Sequence, residues 1–133
     1  MASILRVDTL TDASSNNSVA VSVVYGGTAK AWISFNGGVS TPVAIDSFGT
    51  STLTDNGTGD YSQTLSSAMS NANYAHSGSA GVNDGSGNAT SLRNYGYNTA
   101  RTQSTTVYNI NTGYDNSNAI NAYVTSNVHG DLA

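Results

Sequence analysis

"AKAWISFNGG", residues 29–38, decides how this chain is read. Alternation sets Ala31, Ile33 and Phe35 on one side of an extended segment and Lys30, Trp32 and Ser34 on the other. A period of two marks a strand whose faces meet different surroundings. "NGG" at 36–38 then signals a hairpin, and "TPVAIDSFGT" (41–50) supplies the answering strand. Pro42 stands at its start, where a missing N–H costs least. The only Trp of the chain thus lies opposite Ile33 and Phe35, with glycine pairs at 26–27 and 37–38 on either side. Glycine permits close backbone approach. Trp32 is therefore expected to be a packing anchor, buried in the core or against a neighbouring subunit.

Working outward, "SILRVDTL" (3–10) reads as a short strand and "TDASSNNS" (11–18) as a turn. "VAVSVVY" (19–25) alternates, with Val19, Val21, Val23 and Tyr25 on one face. Downstream, "STLT", "DNGTGD" (55–60) and "YSQTL" (61–65) make the strongest hairpin signal in the chain. "SSAMSNANYA" (66–75) predicts a helical turn or an irregular connection leading to a strand at Tyr74. Residues 76–91 read as a long glycine-rich loop, and 92–101 as an extended segment. "STTVYNI" (104–110) and "AINAYVTSNV" (119–128) are the last strands; Ile120, Ala122 and Val124 share one face of the latter. Many short strands separated by polar turns predict an all-β fold, an antiparallel β-sandwich of jelly-roll-like form.

Composition agrees and adds a constraint. Ser, Thr and Asn make up about two residues in five, and Glu is absent. Those residues compete with a helical backbone for hydrogen bonds, so helix is disfavoured. Leu, Ile, Val and Phe reach only about 18% of the 133 residues, near the level at which chains stop folding. The formal charge, −4, is too small to favour disorder. At about 25 cal/mol per Å² of buried apolar surface, so lean a core struggles against roughly 1–2 kcal/mol of backbone entropy per residue. A core shared between copies relieves the deficit, and a homotrimer is expected. Trp32, Phe35, Ile33, Val21 and Val23 are the candidates for subunit packing. Residues 1–28 read as an attachment or intertwining segment, and 29–133 as the globular domain.

Several chemistries are disfavoured. Without Cys there is no disulfide framework and no thiolate metal site. Arg6, Lys30, Arg93 and Arg101 are the only Lys or Arg residues, too dispersed for a nucleic-acid surface. No stretch nears the roughly 20 apolar residues of a membrane span, and no secretion signal is recognisable. His76 and His129 are far apart in sequence and read as exposed loop histidines. "DGSGN" (84–88) offers oxygens at Asp84, Ser86 and Asn88, but Tyr95 occupies the position where a calcium loop needs its bidentate acid. The Asp residues sit in turn contexts (Asp12, Asp55, Asp84, Asp115), where they bond locally. There is no "GxSxG" elbow. No enzyme, cofactor or metal is expected. Tyr95, Tyr97, Tyr108 and Tyr114 crowd the second half among Asn and Gly. Tyrosine joins a flat apolar face to a hydroxyl, so these four are the candidate recognition surface.

Two stretches together resemble a known module. "AKAWISFNGG" followed by "IDSFGTSTLTDNGTGDYSQTLSSAMSNANYA" is similar to a module of tail-fibre and fibre-like virion proteins of tailed bacteriophages, including those of aquatic bacteria such as cyanobacteria. "SILRVDTLTDASSNNS" resembles their N-terminal segment. The likeness covers residues 1–75; residues 76–133 match only in style. It implies a β-rich homotrimeric virion component, assembled in the host cytoplasm, released by lysis, and serving attachment to other virion proteins and to a host-surface glycan or protein. The chain is shorter than typical fibres and lacks a stalk. A capsid decoration or cement protein is the alternative within that class, and a free carbohydrate-binding module the alternative outside it.

Overall fold

Strand β3 (Ala31–Asn36) carries the alternation that the sequence predicts: Ala31, Ile33 and Phe35 are buried, while Trp32, Ser34 and Asn36 are half-buried. The structure is a computed structural model that describes residue 4 and residues 6–81, 91–93, 103–113 and 119–133. In it β3 is a central strand of a four-stranded sheet, flanked by β4 (Ala44–Phe48) and β10 (Tyr123–His129), with β7 (Ala75–Gly81) beyond β10. A second four-stranded sheet runs in the order β5 (Thr50–Gly57), β6 (Asp60–Leu65), β9 (Val107–Gly113), β8 (Ser91–Arg93). Neighbours in both sheets are antiparallel. Ahead of them, β1 (Thr9–Thr11) and β2 (Ser18–Ala20) form a separate hairpin that runs into a seven-residue helix, α1 (Val21–Gly27). The described chain is mostly β, as its composition predicts.

The buried faces of the two sheets meet in one core. Ile33, Phe35, Val124 and Val128 come from the first, and Tyr61, Leu65, Tyr108 and Ile110 from the second. Phe35 and Tyr61 touch edge to face, with ring centroids 4.9 Å apart. Such a pair adds about 0.5–1.5 kcal/mol to the area it buries. A core built on tyrosine must satisfy its hydroxyls. Tyr61 OH lies 2.8 Å from Asn121 Oδ1, which also accepts the Gly59 N–H at 2.8 Å. Tyr74 OH donates to the Ser104 carbonyl at 2.8 Å.

One residue joins the sheets at their first crossing. β4 ends at Phe48 and β5 begins at Thr50, so the chain turns from one sheet to the other at Gly49. Gly49 has φ +66°, and a Cβ there would run into the Lys30 carbonyl and stand 3.1 Å from Ala31 Cα. Only glycine fits a left-handed corner pressed against another strand.

Four expectations are corrected. Residues 19–25 are not one strand: β2 stops at Ala20 because its partner β1 is only three residues long. With no further sheet edge to receive them, the residues that follow close their backbone bonds on themselves as α1. Residues 76–81 are strand rather than loop, because β10 offers partners from His76↔Val128 to Tyr123↔Gly81 and pairing overrides their small-residue composition. The connectivity is not that of a jelly roll, where successive strands alternate between sheets. Here β3–β4, β5–β6 and β8–β9 each pair within one sheet. Ile33 and Phe35, finally, are 2% and 0% exposed within a single chain, so they build its own core rather than a subunit contact.

Candidate functional site

The register of the first sheet lays out its outer face. Phe48, Trp32, Asn127 and Ser77 form one row across the four strands, and Asp46, Ser34, Thr125 and Ser79 the next. A third row begins with Asn36, Tyr123 and Gly81. Side chains bond within rows: Ser77 Oγ donates to Asn127 Oδ1 at 2.6 Å, and the Ser79 and Thr125 hydroxyls are 2.8 Å apart. Trp32, Ser34, Thr125 and Asn127 line a shallow groove with Gly78 at its floor. Trp32 and Tyr123 stand on adjacent strands four register positions apart, about 13 Å at the usual rise per residue. Aromatic faces flanked by amides and hydroxyls can grip an apolar side chain or the ring of a sugar. Asp46 is the only carboxylate in these rows; its Oδ1 accepts the Ser47 N–H at 2.8 Å.

Besides Phe48 and Tyr123 on this face, the large apolar side chains in contact with solvent fall into two groups. Ile4, Val7 and Leu10 are exposed before or within β1, and Val23, Val24 and Tyr25 on α1. α1 buries none of its residues. The hairpin is held by its own turn: Asp12 Oδ1 accepts N–H groups of Ser14 and Asn16 at 3.1 and 3.0 Å, and Oδ2 accepts Asn17 Nδ2 at 2.7 Å. Those bonds, the Asn17 contact above all, hold the Asp12 carboxyl below its usual range. Lys30 fastens α1 to the sheets. Its ammonium donates to the Tyr25 carbonyl and to Thr28 Oγ1 (3.1 Å) and lies 3.5 Å from the Tyr25 ring centroid. A cation at a helix C-terminus and over an aromatic face is doubly favoured. The other exposed apolar stretch is edge strand β4 and its approach, with Val39, Val43, Ile45 and Phe48.

Of the residues named from sequence, Tyr108 needs correction: it is 0% exposed, facing inward from β9 beside Gln63, and contributes to the core instead of a recognition surface. Tyr95, Tyr97, Tyr114 and the 84–88 stretch lie outside the described residues. Trp32 is half-buried on the outer face, beside Phe48 and Asn127, and is no part of the core. Val21 is half-buried and Val23 exposed, both on α1 rather than on a strand. Sequence reasoning missed Phe48 and Lys30. Counting register from Trp32 through the hairpin would have found the first; the helix that gives Lys30 its partners had no sequence signal.

His76 and His129 occupy strands, not loops. The His76 ring is tilted on Tyr108 with centroids 5.6 Å apart. Its Nε2 finds no hydrogen-bond partner, and the Tyr108 phenol turns toward Ser126 without reaching hydrogen-bond geometry. Burial lowers the His76 pKa from 6.5, an effect that Gln103 partly opposes. Burial likewise pushes the phenols of Tyr61, Tyr74 and Tyr108 up to about 12. Below pH 6.5 the unfolded chain takes up a proton at His76 that the folded chain refuses, so stability falls as pH drops. Above pH 10.0 the unfolded phenols ionise first, so stability falls again. Melting followed from pH 5 to 11 should show a plateau between these limbs, and His76→Gln should flatten the acid one.

Among the described residues no group of three or more His, Cys, Asp or Glu side chains could hold a metal ion. No helix among them is long and apolar enough to cross a membrane. No protein-family model, curated protein or solved structure matches the chain.

Proposed function

We propose that the chain is a structural subunit of a bacteriophage virion, a short homotrimeric tail fibre or fibre-like component that attaches by assembly and adhesion without turnover. In this reading the two sheets form a β-sandwich, residues 1–28 reach to neighbouring copies or other virion proteins, and the outer face around Trp32 meets the host surface or a neighbour. The observation that carries it is the placement of exposed apolar side chains on the N-terminal hairpin and α1, a segment outside the common core. Solvated apolar surface gathered on an arm is what an assembly contact requires. The sequence likeness of residues 1–75 to fibre modules supports the same reading.

Sedimentation velocity of purified protein over a wide concentration range tests it. A species of three chain masses, persisting on dilution, is expected; a compact monomer throughout would overturn the proposal. A free carbohydrate-binding module is the second reading, favoured by the groove beside Trp32 with its Asn127, Thr125 and Ser34 lining. It requires that monomer and saturable glycan binding.

A further inference from the structure

The groove on the outer face lies over two strands that are paired on both sides. β3 pairs with β4 and β10, and β10 with β3 and β7. An extended peptide finds no open sheet edge there, so recognition falls to side chains. The groove holds about 280 Å³ and runs from Trp32 and Ser34 on β3, past Thr125 and Asn127 on β10, to Gly78 on β7. A pocket for a drug-sized molecule takes roughly 300–1,000 Å³, so this one seats a single ring and leaves a longer ligand on the open sheet.

The lining selects which ring. No Lys, Arg, His, Asp or Glu is among its residues. Lys30, just ahead of β3, is spent on Tyr25 and Thr28, and the charge beside Ser34 in the same row is the negative Asp46. A phosphate, sulfate or carboxylate thus meets like charge and no counter-ion. The polar groups are held in place with bonding capacity to spare. Asn127 Oδ1 accepts from Ser77 Oγ at 2.6 Å, which leaves the Nδ2 hydrogens as donors. The Ser79 and Thr125 hydroxyls share one bond at 2.8 Å, and each has further lone pairs. An apolar side chain laid on them would strip their water, at about 1–3 kcal/mol for each group left unpaired. A sugar replaces that water with its own hydroxyls and sets an apolar ring face on the indole.

A second aromatic lies on the same track. Tyr123 is exposed on β10, four register positions from the Trp32↔Asn127 pair, about 13 Å at the usual rise. Its partner on β7 is Gly81, which has no side chain to cover the ring. Thr125 and Ser34 pair between the two aromatics. One sugar ring cannot reach both.

We propose that this face binds a neutral oligosaccharide laid along β3 and β10, with one ring on Trp32 in the groove and another on Tyr123. Asn127, Thr125 and Ser34 hydrogen-bond the hydroxyls between them. This rests on the adhesive role read above for the same face and names what the face holds.

The full chain is tested against immobilised neutral hexasaccharides, the matching disaccharides, and sialylated and sulfated glycans, with calorimetric titration of those retained. Saturable binding of neutral hexasaccharides, tighter than of the disaccharides, is expected. Trp32→Ala should weaken it about 10-fold, and Trp32→Phe should restore most of the loss. Tyr123→Ala should weaken hexasaccharide binding and leave the disaccharide unaffected. Retention of no neutral glycan, preference for the anionic ones, or unchanged hexasaccharide affinity in either alanine variant would overturn the proposal. Sedimentation of the same samples keeps the two readings apart. A trimer that binds no neutral glycan retains the fibre and removes this site; a monomer that binds one retains the site and removes the fibre.

Discussion

Gly49→Ala is expected to cost about 3 kcal/mol or more of folding stability and to lower the melting temperature by on the order of 10 °C. Two costs add. A φ of +66° is unfavourable to any residue with a Cβ, and here that Cβ meets the backbone of Lys30 and Ala31. Backbone cannot rotate aside as a side chain would. The relaxation available is to part β3 from the corner, which breaks the Trp32↔Phe48 end of the β3–β4 pairing. Gly57→Ala makes the control, since Gly57 has φ +131° but open space where its Cβ would go. It should lose only the conformational part, about 1–3 kcal/mol for a residue held in a sparsely populated positive-φ conformation. Denaturant unfolding of both variants checks the difference; equal losses would mean that the Lys30 contact does not constrain the corner.

Phe35→Ala is expected to lose about 3–5 kcal/mol, the usual range for emptying a buried phenylalanine site. Phe35 is fully buried and its edge contact with Tyr61 goes with the ring. Two positions with opposite faces of β3 are thereby separated. Trp32→Ala, on the outer face, should cost the isolated fold about 1 kcal/mol, since surface changes rarely reach core values. If the face around Trp32 packs against another copy, the same change should lower oligomer yield well beyond that cost. Unfolding and sedimentation of the two variants side by side measure both quantities. A Trp32→Ala loss as large as that of Phe35→Ala would place the indole in the core after all.

What could be read beforehand followed the strength of the alternation. β3 was legible because apolar and polar residues alternate along it, and its two faces came out as predicted. The β5–β6 hairpin was legible from the turn formers between its strands, and the last strand was legible although it runs over Tyr123–His129 rather than 119–128. β7 was not, since "HSGSAG" has neither alternation nor β-branched residues; it is held as a strand by its β10 partner. The opposite failure occurred at 21–25, where a clean β-type pattern had no partner and became α1. Local pattern expresses preference, and pairing over long sequence distance decides. The site was half legible for the same reason. Trp32 was placed on the face opposite Ile33, where the structure has it, but Tyr108 was assigned to the surface because a tyrosine's role depends on which sheet face it occupies. Its neighbour Gln63, equally buried, shows why polarity alone misleads in a hydroxyl-rich core.

The pairing Ala31↔Val128 places the start of β3 and the end of β10 side by side at one pole of the molecule. Tension applied between those two points would peel the strands apart one rung at a time, at low force. A subunit anchored through its first residues and gripped at the opposite pole is loaded differently: the pull runs along β3 and β10, and their rungs share it in shear. The same antiparallel ladder is thus weak as a zipper and strong as a tether, according to where it is held.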